Sequence, residues 1–155
     1  MKYKCENELN TLEFKDFNAD EISYTKNKLF ILTNGGIARY NNSCNETLEE
    51  RYISESEISF INCNINKFYI EGMKYFNPND VLIKEVPDKD ILVEEYSSEL
   101  KKLKGGTIFF LSGKFDNTGF SGEIAIDVEE DTYWLSISAE KVIIGFDRFM
   151  NRVQQ

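Results

Sequence analysis

A chain of 155 residues with 41% hydrophobic content is long enough for one core and too short for two, so a single β-rich domain over residues 1–155 is expected, burying roughly 70% of its unfolded surface. Asp and Glu outnumber Lys and Arg by 27 to 18, and the resulting charge of −9 repels nucleic-acid phosphates and anionic membranes while attracting cationic surfaces. Histidine is absent, which removes Ser-His-Asp and Cys-His catalysis and most zinc hydrolase designs.

Twelve Phe, eight Tyr and one Trp supply the strand propensity and apolar area that a disordered acidic chain lacks. The opening segment MKYKCENELN has two lysines but no apolar run behind them, so it does not read as a secretory signal. No stretch approaches the ~20 apolar residues of a membrane span. Cys5, Cys44 and Cys63 are odd in number and lack CxxC spacing, which argues against a disulfide framework or zinc site and for a reducing cytoplasm. Asn41-Asn42-Ser43 and Asn45-Glu46-Thr47 match the glycosylation pattern, but in a cytoplasmic chain they read as a polar loop.

Thr11 to Phe17 begins a series of short strands, with Leu12 and Phe14 pointing inward. Glu21 to Thr25 and Lys28 to Thr33 form a predicted hairpin across Lys26-Asn27, and Asn34-Gly35-Gly36 turns the chain into Ile37 to Tyr40. Asn41 to Asn45 is a loop, and Glu46 to Arg51 is assigned one helical turn. Glu57 to Cys63 carries apolar residues on both faces, as a central strand does. Lys67 to Phe76 suits a strand interrupted at Gly72, Asn77-Pro78-Asn79-Asp80 is a turn, and Val81 to Val86 resumes the alternation.

Between Pro87 and Gly105 the period changes: Leu92, Tyr96, Leu100 and Leu103 recur at helical intervals and Gly105-Gly106 is a terminator, predicting one substantial helix near 91–104. Thr107 to Phe115 and Phe120 to Val128 flank the hairpin turn Asp116-Asn117-Thr118-Gly119. Thr132 to Ile144 follows as a further strand, and Phe146 to Val153 as a last strand or short helix. The fold class is therefore α+β, predominantly antiparallel β with about eight to ten strands, sandwich or barrel-like.

The segment GFSGEIAIDVEEDTYWLSISAEKV concentrates the chemistry. Strand parity places Ile124, Ile126 and Val128 inward and Glu123, Asp127 and Glu129 outward, leading into the acidic turn Glu129-Glu130-Asp131. Solvated outward acids are poor candidates for a raised pKa, which disfavours a two-carboxylate glycosidase. The segment also lacks the central Gly of a calcium loop. No cofactor, metal site or catalytic residue is expected, and the candidate surface is Glu123, Asp127, Glu129, Glu130, Asp131 and Trp134. Trp134 is either an exposed anchor beside the acidic turn or packed under the helix or a neighbouring loop. Arg148 and Arg152 form a basic tail that either pairs with acids or anchors a ligand carboxylate.

LEFKDFNADEISY at 12–24 and GEIAIDVEEDTYWLSI at 122–137 read as core strands with acidic outer faces. In this general character the chain resembles the immunity proteins of bacterial toxin systems. The resemblance implies a non-catalytic inhibitor whose carboxylates mask the cationic groove of a nuclease-type toxin, a basic protein partner. Two rival expectations are a β-barrel binding a lipophilic small molecule, which requires an apolar cavity, and an accessory domain that self-associates through a strand edge.

Overall fold

The computed structural model describes residues 1–154. Sixteen strands account for most of it: β1 Tyr3–Glu6, β2 Leu12–Glu13, β3 Phe17–Thr25, β4 Lys28–Thr33, β5 Gly36–Ala38, β6 Arg51–Ile53, β7 Ser56–Ile61, β8 Asn64–Ile70, β9 Met73–Phe76, β10 Leu82–Val86, β11 Lys89–Asp90, β12 Gly106–Asp116, β13 Gly119–Val128, β14 Asp131–Ala139, β15 Lys141–Phe146 and β16 Phe149–Arg152. The excess over the eight to ten expected comes from pieces of two to four residues, too short to display an alternation.

Ten strands form one antiparallel sheet in the order β1-β15-β7-β4-β3-β12-β13-β14-β8-β11. It is open, ending at β1 and β11. Its middle is narrow, because β12 meets β3 only through Gly106↔Ala19, Thr107↔Asn18 and Ile108↔Phe17. The two halves fold toward each other there, bringing Phe60 of β7 within 5.5 Å of Phe120 of β13 between ring centroids. The chain crosses between halves at two tight corners. One is at Asn62-Cys63, where Asn62 has φ 49° and the Cys63 amide donates to Asn27 O at 2.6 Å; the other is at Glu140, whose amide donates to Ile61 O at 2.9 Å.

Leu29, Ile31, Ile58 and Phe60 from one half, with Phe68, Ile108, Ile124 and Leu135 from the other, are almost wholly buried. Each contributes about 1.5–3 kcal/mol through loss of apolar surface to water. A second sheet, β16-β6-β5-β2, and a two-stranded ribbon, β9-β10, complete the fold.

The helix is shorter than the sequence period suggests. A 3-10 turn at Val93–Glu95 runs into α1 at Tyr96–Lys101. Upstream, strand pairing holds the chain, since the Ile91 amide donates to Phe68 O at 3.0 Å. Leu92, counted in the helical stripe, is 57% exposed, and Ile91 takes the inward place instead. Tyr96 packs against Phe68 of β8 and the Ser97 hydroxyl donates to Tyr24 O of β3, so α1 ties the two halves together.

The hairpins at Lys26-Asn27 and Asn117-Thr118 form where expected, closed by Thr25↔Lys28 and Asp116↔Gly119. Lys26 and Asn27 have φ 50° and 59°, the left-handed pair that a two-residue turn requires. The helical turn expected at Glu46 to Arg51 is absent. Asn45 is buried there, its amide donating to Arg39 O at 3.0 Å and Glu49 O at 2.8 Å and its carbonyl accepting from the Thr47 amide at 3.0 Å. These side-chain bonds replace the helical ladder and consume the nitrogen that a glycan would need.

Candidate functional site

The outer face of β12-β13-β14-β8-β11 is built in rows by register. One row runs Phe110, Ala125, Trp134, Tyr69, Asp90. On one side of it lie Ser112, Glu123, Ser136 and Lys67; on the other lie Thr107, Asp127 and Thr132. Rows on one face are about 7 Å apart along a strand, so the indole has a carboxylate within reach on either side.

A bulge in β12 creates the aromatic part. Pairing steps from Ile108↔Ile126 to Phe110↔Ala125, leaving Phe109 as the extra residue, so both phenylalanines turn outward. Phe109 meets Trp134 edge-on at 5.7 Å and Phe110 meets it tilted at 5.6 Å. Ala125, fully buried, is the floor that lets the rings close over it. Trp134 is thus half-buried among aromatic neighbours on the outer face and is not beneath the helix. Its indole N–H is buried with no acceptor among the described residues.

Glu123 and Asp127 are exposed on this face, and Asp127 accepts from the Thr132 hydroxyl at 2.7 Å. Further acids converge from β8 and β11. Burial, and then the charges of Asp88, Glu123 and Glu71, push the Tyr69 phenol above its ordinary value. Lys67 covers the Tyr69 ring at 4.6 Å, showing that this ring accepts a cation. The neighbouring serines leave a shallow groove of about 470 Å³ bordered by Ser112, Lys114, Glu123 and Ser136.

The sequence-predicted acids divide. Glu129 and Glu130 form the two-residue turn closed by Val128↔Asp131. Asp131 takes the parity of Tyr133 and Leu135, the opposite face from Asp127, and after burial its charge is the foremost of those that raise the Tyr133 phenol. Glu129 has φ 55°, a left-handed conformation costing a non-glycine residue about 1 kcal/mol. The sequence reading missed Tyr69, Glu71, Asp88, Asp90, Phe109 and Phe110. The run Ile108-Phe109-Phe110-Leu111, which breaks strict alternation, was the available signal for the bulge.

Arg152 lies 3.8 Å from Glu49, which also pairs with Arg51 at 3.1 Å. A surface cavity of about 720 Å³ beside them is walled by Tyr40, Leu48, Glu49, Glu50 and Arg152, so Arg152 shares it with two carboxylates. Among the described residues no group of three or more Cys, Asp or Glu is arranged to hold a metal ion, and no helix is long and apolar enough to cross a membrane. Comparison with protein families, curated proteins and solved structures finds no match to the chain.

Proposed function

We propose that the chain is a non-catalytic, cytoplasmic binding domain for a basic protein, and that it acts as an inhibitor masking the cationic groove of a nuclease-type toxin. The observation that carries this reading is the Trp134-Tyr69 row, which ends at Asp90 and has Glu123, Asp127, Glu71 and Asp88 around it. An Arg or Lys entering such a face gains a ring to lie against and carboxylates to pair with, both strengthened as water leaves. The charge of −9 adds long-range steering, which raises association rates with cationic partners at low salt.

The experiment begins with the product of the reading frame directly upstream, purified and titrated with the chain while nuclease activity and Trp134 fluorescence are followed. Inhibition at one-to-one stoichiometry, weakening as salt rises and lost in a Glu123→Lys/Asp127→Lys variant, is the expected result. An upstream product lacking a basic nuclease domain, or full inhibition by that variant, counts against the reading.

A further inference from the structure

The ribbon β9-β10 has a composition and exposure that the acidic face does not use. Met73, Tyr75, Phe76, Leu82, Ile83 and Val86 are between 41% and 65% exposed, distributed over both faces of the ribbon. At about half exposure, side chains of this size present roughly 500 Å² of apolar surface, divided between the two faces of the ribbon.

Its root is fixed while its body is unsupported. The Glu71 amide donates to Thr132 O at 2.8 Å, the last bond to β14, and the Gly72 amide donates to Asp88 Oδ1 at 2.7 Å. A Cβ at Gly72 would stand 2.1 Å from Val86 O, so only glycine lets the two chains cross here. Beyond this point, pairing runs Met73↔Val86, Lys74↔Glu85, Tyr75↔Lys84 and Phe76↔Leu82, with no third strand among the described residues. An isolated two-stranded ribbon is marginal in water.

We infer that this ribbon is a dimerisation arm whose occupant is the arm of a second copy. Charge selects that occupant. Residues 73–86 hold Lys74 and Lys84 against Asp80 and Glu85, so the arm is neutral and the entire −9 lies in the remainder of the chain. The bodies of two copies carry like net charge and the arms carry none, so the arms can meet without that repulsion, whereas a neutral arm gives a cationic partner nothing to recognise. The bulge at Ile83 disrupts the outer edge of β10, leaving β9, regular from Met73 to Phe76, as the edge that pairs with its symmetry mate. Two arms joined through β9 make a four-stranded sheet that pairs the free edge and sets the apolar side chains of each face beside their symmetry mates, burying less than the ~800 Å² per partner of a standard interface and so giving a weak, reversible dimer.

Sedimentation equilibrium from about 5 µM to about 200 µM should give a mass that rises with concentration from the 18.0 kDa monomer toward twice that value, with a dissociation constant in the micromolar range. Raising salt from about 0.05 M to about 0.5 M should tighten the dimer severalfold, since it screens the bodies and spares the arms. That sign is opposite to the one expected for a basic partner, so the two proposals fail separately. Phe76→Asp/Ile83→Asp, at exposed positions outside the core, should give a monomer whose urea midpoint matches that of the wild type measured well below its dissociation constant. Amide exchange at Met73 to Phe76 should slow with concentration in the wild type alone. A wild-type monomer at all these concentrations, or a dimer that survives the double substitution, overturns the inference.

Discussion

Trp134 stands directly opposite Tyr69 across the β14-β8 pair, and the two rings sit on a sheet face between the rows of Glu123 and Asp127. The indole N–H beside Phe109 and Phe110 has no acceptor among the described residues, a condition that costs about 1–3 kcal/mol relative to a satisfied or absent donor. Trp134→Phe removes that donor and keeps a ring against its neighbours. Urea denaturation followed by circular dichroism should find it neutral or up to about 1 kcal/mol more stable. Trp134→Ala leaves the Phe109-Phe110 pair over a void and should lose about 2–3 kcal/mol.

The division of the acids between faces gives a second test. Glu123→Gln/Asp127→Asn and Asp131→Asn remove charges from the same hairpin, yet only the first pair shares a face with Trp134. Binding of an oligo-arginine peptide, measured by Trp134 fluorescence, should weaken about tenfold for the first variant and less than twofold for the second. A loss that, in free energy, simply follows the two charges removed against one would mean that the net charge acts without this face.

Glu129 holds a left-handed φ of 55° at a position that suits glycine better. Glu129→Gly should raise stability by about 1 kcal/mol in urea denaturation. If the carboxylate serves binding, the same variant should bind the peptide more weakly, separating stability from function at one residue.

Local chemistry made much of this fold readable. Lys26-Asn27, Asn77 to Asp80 and Asn117-Thr118 carry the residues that turns require, and Ile124, Ile126, Leu135 and Ile137 are buried as their parity dictates. The helix was overextended because Ile91 and Leu92 continue its apolar rhythm, while a backbone bond to Phe68 holds that segment to the sheet. The open sheet, pinched where β12 meets β3, was not legible, since pairing partners far apart in sequence leave no periodic trace. Of the site, the β13-β14 acids and Trp134 were visible in one local hairpin. Tyr69, Asp88 and Asp90 join them only through the β14-β8-β11 register, and Phe109 and Phe110 only through a bulge.

Asn45 tests how the loop before β6 is held. It is buried, and its amide and carbonyl satisfy backbone groups from Ala38 to Glu49. Asn45→Ala orphans several of these at once and should cost about 2–4 kcal/mol, against about 1 kcal/mol for a typical single bond. Peptide binding should be unchanged in the folded fraction, because the loop belongs to the smaller sheet and not to the Trp134 face. A stability loss under about 1 kcal/mol would mean that water replaces the side chain without penalty.

Cys63 sits at the corner between β7 and β8, where burial pushes its thiol from 9.0 up to about 12. Cys5, also held protonated chiefly by burial, rises to about 11. A folded-state pKa above the unfolded one means that the fold prefers the protonated thiol. Its contribution is complete below pH 9.0 and declines as pH rises toward 12, because only the unfolded chain releases the proton. Between its own unfolded and folded values each such thiol steepens the fall in stability by up to about 1.4 kcal/mol per pH unit. Urea titrations of wild type and Cys63→Ala across this alkaline range should therefore converge as pH rises, the variant losing stability with the shallower slope. Parallel slopes would place the Cys63 thiolate in contact with water in the folded chain.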